Sequence, residues 1–180
     1  MIRLLAAKAE TGPAISALAA GLLLSAASLS ANRDEGIDRA AALALHNGAR
    51  AGVGVSPLVW SERLATEAQA HASVLAASGE LRHHRSAAHS GAGENLWLGR
   101  GHGFRLEDMI GRFLAERRHF RPGAFPAIST SGTWRDAAHY SQIVWRDSRE
   151  LGCALAQREG ITVLVCRYHP AGNVVGQRPY

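Results

Sequence analysis

The stretch "GCALAQREGITVLVC", residues 152–166, limits the possible folds more than any other. Two strand-like runs, "ALAQ" and "ITVLVCRY", flank a turn at Arg158–Gly160, which is the pattern of an antiparallel hairpin. Such a hairpin can set Cys153 beside Cys166, the only two cysteines of the chain. Spacing alone leaves open a disulfide or two separate buried thiols. An even pair favours a disulfide in an oxidising compartment, so the N-terminus matters to the argument.

Arg3 and Lys8 precede "PAISALAAGLLLSAAS", an uncharged segment followed by small residues up to Ala31. A basic start, a short apolar stretch and small residues are the order of a secretory signal. Residues 1–31 are therefore expected to be a signal peptide cleaved between Ala27 and Ala31, and residues 37–180 a single domain that is secreted or periplasmic. The alternative, a helix or an uncleaved anchor, fits less well, because the stretch is short and "NRDEGIDR" follows it. No run reaches the roughly 18 apolar residues of a membrane span. The net charge is +5, and every basic residue after Lys8 is arginine. Clusters such as "ERRHFR" lack the long basic run or stacking aromatics of a nucleic-acid binder and read as solvated surface.

Periodicity predicts helices in the first part of the chain. "IDRAAALALHNGAR" reads as a helix that loosens at Asn47-Gly48. A second helix is capped by Ser61, repeats Leu64, Ala65, Ala68, Ala72 and Leu75, and stops at Gly79. "RLEDMIGRFLAERRHF" carries one apolar stripe and ends before Pro122-Gly123. "HYSQIVW" fits a helical turn leading into a strand or a strand throughout. Helices first and strands later argue for an α+β domain with helices packed on an antiparallel sheet.

Most histidines, including His83, His84, His89 and His139, fall in loops or at element ends, with Glu94 and Glu116 among them. Imidazole and carboxylate together suit a divalent ion or acid–base chemistry. By spacing alone this signal is weak, since no HExxH, EF-hand, GxSxG or phosphate-loop pattern is present.

Taken together, "LALHNGAR", "LVWSERLATEAQAHA", "GAGENLWLG", "AAHYSQIVWRDS", "LGCALAQ" and "VLVCRYHPAGNVVGQ" resemble the CAP superfamily of cysteine-rich secretory, antigen 5 and pathogenesis-related proteins. The resemblance spans residues 37–180 with the motifs in family order. It implies a three-layer α-β-α sandwich with a central antiparallel sheet and a broad cleft. It also implies a metal-binding tetrad, usually for zinc, which maps here onto His83, Glu94, Glu116 and His139. His83 is preferred to His84 because Leu81 stands two positions before it; Phe113 stands where many relatives have tryptophan. Cys153 and Cys166 would be bridged, and Pro170, Gly172 and Asn173 would turn the C-terminal tail back onto the domain. With only two cysteines, the closest likeness is the minimal bacterial form of the family.

The resemblance implies an extracellular binding module for lipid, sterol or protein. A metal-dependent hydrolase using the same tetrad and a purely structural domain are the alternatives. Ser141, two residues after His139, invites a Ser–His–Glu triad, but spacing supplies neither contact nor an oxyanion site. Its hydroxyl is expected to bond to backbone instead.

Overall fold

The computed structural model describes residues 36–84 and 91–180; the expected signal segment, 1–31, lies outside them. The elements in chain order are α1 (Arg39–Ala51), β1 (Val59–Trp60), α2 (Glu62–Ser78), β2 (Gly93–Arg100), α3 (Leu106–Ala115), α4 (Ala138–Ile143), β3 (Glu150–Arg158) and β4 (Ile161–His169). Short 3-10 turns, Glu116–Arg118 and Trp134–Ala137, follow α3 and precede α4.

The sheet order is β1-β3-β4-β2. The β2–β4 and β3–β4 pairs are antiparallel, as expected. The edge differs: β1 pairs parallel with β3 through Val59↔Glu150 and Trp60↔Leu151, so the sheet is mixed. A two-residue strand is too short to show any periodicity in sequence.

Alternation along β4 builds the layers. Val163 and Val165 face α2, packing with Ala68, Ala72 and Leu75. Leu164, Cys166 and Tyr168 face the opposite layer, where Ala42 of α1, Met109, Ile110 and Phe113 of α3, and Tyr140 and Ile143 of α4 close the larger core. The result is an α-β-α sandwich. Gly152 lets α2 approach the sheet, because a Cβ there would lie 2.2 Å from the Ala65 nitrogen. In the β3–β4 hairpin, Glu159 (φ 50°) and Gly160 (φ 76°) are both left-handed, as a two-residue type I′ turn requires. This register sets Cys153 opposite Cys166, and the two form a disulfide.

Local expectations meet tertiary contacts in several places. α1 runs through Asn47-Gly48 to Ala51, because Asn47 spends its amide on Leu58, donating to its carbonyl at 3.1 Å and accepting from its N–H at 2.8 Å. Ser61 occupies the N-cap position of α2, but its side chain makes no capping bond. Gly79 ends that helix in the left-handed conformation (φ 68°). α3 ends at Ala115, before Pro122-Gly123. "HYSQIVW" is helical only as far as Ile143, and the strand begins only at Glu150. Ile143, Val144 and Trp145 are buried in the core. The tail packs back as the resemblance implies: Gly172 N–H donates to Gln142 Oε1 (2.9 Å), Asn173 to the Ala138 carbonyl (2.9 Å) and Arg146 N–H to the Pro179 carbonyl (2.6 Å).

Behind α4 lies a buried guanidinium. Arg50 donates to the carbonyls of Ser56 (2.7 Å), Ile143 (2.8 Å), Trp145 (2.8 Å) and Ser148 (3.0 Å).

Two stability predictions follow from these contacts. Arg50→Lys keeps the charge but not the planar fork, so urea unfolding should show a loss of about 2 kcal/mol or more. Replacing Cys153 and Cys166 with serine should lower Tm by several degrees, matching the ~2–4 kcal/mol of a native bridge; an unchanged melt would show that the bridge contributes nothing.

Candidate metal centre

The site is built from two histidine–glutamate pairs held by different layers. On β2, Glu94 faces α2 and its neighbour Asn95 faces the opposite layer. The Glu94 side chain is 2% exposed. Its Oε2 accepts from His71 Nδ1 at 2.8 Å, and its Oε1 from His83 Nδ1 at 3.0 Å and the His84 N–H at 3.2 Å. Burial pushes the Glu94 carboxyl up, but the hydrogen bonds from His83 and His71, the His71 charge and the His84 amide outweigh it, leaving the pKa below its ordinary value. Arg167, also buried, places Nε 3.8 Å from Glu94 Oε2 and donates from Nη1 to Glu67 Oε2 at 2.6 Å.

The second pair depends on a short helix. Glu116, in the turn after α3, accepts the His139 Nδ1–H on Oε1 at 2.6 Å. Its Oε2 accepts the backbone N–H groups of His139 (2.8 Å) and Tyr140 (3.2 Å). One carboxylate thus caps the first turn of α4 and orients the imidazole that the turn carries. Phe113 stacks on the His139 ring with centroids 4.8 Å apart, filling the place the resemblance gives to tryptophan.

A buried chain of hydrogen bonds reaches this pair from α1. Asn95 Nδ2 donates to the His139 carbonyl and to Tyr168 Oη, each at 3.1 Å. Tyr168 Oη lies 2.8 Å from His46 Nε2, and His46 Nδ1 lies 2.7 Å from the Ala42 carbonyl. The carbonyl can only accept, so His46 carries its proton on Nδ1 and accepts the tyrosine proton at Nε2. Burial, with Arg50 nearby, lowers the His46 pKa to about 4 despite the bond to Ala42.

His83, Glu94, Glu116 and His139 therefore stand as two pairs, each with a histidine Nδ1–H on a carboxylate. The neutral ring then keeps its lone pair on Nε2, the arrangement typical of metal-ligating histidines. Imidazole nitrogen with carboxylates behind it suits zinc or another borderline divalent ion. Of the two adjacent histidines, the His83 ring reaches Glu94, whereas His84 offers its backbone and rests its ring edge-on against His71, 4.9 Å away. His89 lies outside the described residues. Among those residues, only His46, Cys153 and Cys166 bring three donor atoms within 4.8 Å of one another, and the sulfurs are bonded to each other, so this trio offers no thiolate.

Ser141 departs from its expected role. It is fully buried, and its Oγ has no hydrogen-bond partner among the described residues, neither backbone nor His139. Sequence reasoning also missed His71, Asn95, His46 and Arg167. His71 had a legible signal: it falls on the buried stripe of α2 with Leu64, Ala68, Ala72 and Leu75. A histidine on an apolar stripe needs a polar partner.

The family model described as CAP, the cysteine-rich secretory protein family, matches residues 43–168. The chain belongs to the CAP family. Its CAP domain is of the pathogenesis-related 1 type. It is 41% identical over 140 residues to pathogenesis-related leaf protein 6 of Solanum lycopersicum, covering 77% of this chain and 80% of that protein. It is 38% identical over 136 residues to pathogenesis-related protein 1C of Nicotiana tabacum, covering 75% and 76%. Among solved structures, NaASP2 with Zn2+ aligns at a TM-score of 0.64 and 21% identity, over 77% of this chain and 82% of that one. Venom allergen-like protein 4 of Schistosoma mansoni aligns at 0.60 and 20% identity, over 78% and 92%. These two likenesses show the CAP fold. The secretory family supports an extracellular location. No helix among the described residues is long and apolar enough to cross a membrane.

His46 makes stability depend on pH. Its folded pKa of about 4 lies below the ordinary 6.5, so the unfolded chain binds the extra proton first as pH falls. The contribution is complete above pH 6.5 and is lost as pH falls towards 4. Between pH 7.5 and 4.5 the wild type should lose about 2–3 kcal/mol more than His46→Gln in urea unfolding; equal losses would show that His46 is not held neutral.

Proposed function

We propose that this chain is a secreted CAP-domain binding module whose cleft holds a divalent metal ion, zinc foremost, at His83, Glu94, Glu116 and His139. Residues 1–31 serve as the export signal in this reading, and residues 37–180 form the domain, released to the periplasm or the medium. The observation that carries the metal reading is the shared use of Nδ1: His83 and His139 each donate it to a buried or half-buried glutamate, which keeps the lone pair on Nε2 for a metal. The Zn2+ in the NaASP2 structure adds support from a protein of the same fold.

An apolar groove of about 400 Å3 between α1 and α3 supports a lipid or sterol as the module's ligand, with an extracellular protein as the alternative. Ala44, Leu45, Ala49, Leu114 and Tyr140 line it, with Arg117 in its wall. A covalent Ser141 mechanism has no support, because the buried Ser141 hydroxyl makes no hydrogen bond to His139. The alternative is a metal-dependent hydrolase using the same tetrad: a bound ion would supply Lewis acidity, and turnover of ester or peptide libraries by the zinc-loaded chain would establish that reading.

Calorimetric titration of zinc into the metal-stripped protein near neutral pH tests the metal centre. One-to-one binding at micromolar affinity or tighter is expected, weakened at least tenfold in His139→Ala and Glu94→Ala. Separate His83→Ala, His84→Ala and His89→Ala variants identify the ligand from the loop. A wild type that binds no zinc overturns the metal centre.

A further inference from the structure

The net charge of the domain is gathered in one part of it. Residues 112–149 and Arg178 carry eight arginines against three carboxylates, whereas the rest of 36–180 carries nine basic and nine acidic side chains. Two of the three carboxylates are engaged: Glu116 by His139, and Asp136 by the Ser131 hydroxyl at 2.7 Å. Elsewhere arginines meet acids, as Arg39 does Glu62, Arg63 Glu67, Arg105 Glu107 and Arg158 Glu159. None of the eight forms an ion pair among the described residues.

The fold draws these segments together around Phe125. Its N–H donates to the Gln177 carbonyl and its carbonyl accepts the Gly176 N–H, each at 2.8 Å. The Trp134 ring packs against Phe125 with centroids 5.4 Å apart, and the Arg135 guanidinium lies 4.8 Å from the centre of that indole. Arg178 follows Gln177, and the Pro179 carbonyl accepts the Arg146 N–H. The Arg121 N–H donates to the Ile128 carbonyl at 2.9 Å, closing the loop that carries Phe125. Arg121, Arg135, Arg146 and Arg178 are all exposed.

Apolar side chains are exposed among them. The Gln177 N–H bonds to the Val174 carbonyl at 3.0 Å, and Gly176 is left-handed (φ 82°), so residues 174–177 form a tight turn. Val175 on that turn is 76% exposed, Val174 38% and Trp134 37%. A hydrated polyanion would use the arginines and leave these side chains in water. A bilayer uses both, taking aromatic and aliphatic groups at its interface and arginine at its headgroups.

We propose that this face docks the domain onto an anionic lipid bilayer, with the arginines on headgroup phosphates and Val175 and Trp134 at the acyl boundary. The partner is the surface of an intact membrane, so the face is separate from the groove between α1 and α3 and does not depend on the metal centre.

Cosedimentation of the full chain with vesicles tests this. Residues 1–31 are common to every protein compared, so differences between variants report the face. Wild type should partition at least tenfold more strongly into equimolar phosphatidylglycerol–phosphatidylcholine than into phosphatidylcholine alone. The triple variant Arg135→Gln, Arg146→Gln, Arg178→Gln should lose about fivefold in anionic vesicles for each arginine removed. Arg39→Gln, Arg105→Gln, Arg158→Gln makes the same change in net charge at exposed sites elsewhere and should stay within about twofold of wild type. Val175→Ser should weaken anionic-vesicle binding several-fold. Far-ultraviolet circular dichroism and zinc titration of all three variants should match wild type, so failure of the docking face and failure of the metal centre are read separately. Equal partition of wild type into both vesicles, or equal losses in the two triple variants, overturns the docking face. Binding that Val175→Ser leaves unchanged and that soluble heparin matches assigns the face to a polyanion and overturns the bilayer.

Discussion

The placement of His139 depends on a cation that meets no carboxylate among the described residues. Arg50 is completely buried, and its guanidinium is spent on backbone carbonyls at Ser56, Ile143, Trp145 and Ser148. Burial, with Arg149 nearby, lowers its pKa to about 10, so it remains charged at neutral pH. These contacts tie the end of α1 to the segment leaving α4. Six residues are far too few for a helix to persist by itself. Arg50 holds the C-terminal end of α4, and Glu116 caps its N-terminal end. The histidine between them is thus positioned by two charged groups that belong to other elements.

The two faces of the sheet have different duties around the cleft. Towards α2 lies an ionic cluster in which Glu94 meets two imidazole rings and Arg167 meets Glu67. Away from α2 lies a neutral relay, Asn95 to Tyr168 to His46, which ends on the Ala42 carbonyl. A neutral relay suits a fully buried core, where an unpaired charge is costly. The ionic cluster lies beside the open cleft, where solvent and ligands can reach His83.

The sandwich and the candidate residues were largely legible because they reside in contiguous motifs. The hairpin announced itself through two strand-like runs and a glycine turn, and GEN and HYSQIVW carried the family likeness. What could not be read depends on partners far along the chain. Arg167 meets Glu67 across 100 residues, and His71 meets Glu94 across 23. The same distance effect accounts for the misread local signals: Asn47-Gly48 has the composition of a helix end, yet the Leu58 backbone claims the asparagine. HYSQIVW was ambiguous because a short run with Tyr140, Ile143, Val144 and Trp145 as its apolar residues fits either period, and the contacts at its two ends decided for helix. His83 could be preferred over His84 only by analogy, since both are exposed residues on the same irregular stretch.

Glu94 and Asn95 are consecutive residues, yet one serves the ionic face and the other the relay. A strand that slips by a single position exchanges its two faces. Such a slip in β2 would drive the carboxylate into the apolar layer beside Tyr168 and turn the amide towards the histidines, an arrangement that neither layer can satisfy. The chemistry that equips the cleft therefore also proofreads the pairing of β2 with β4: a misregistered molecule would lack a site and would carry a buried charge that destabilises it.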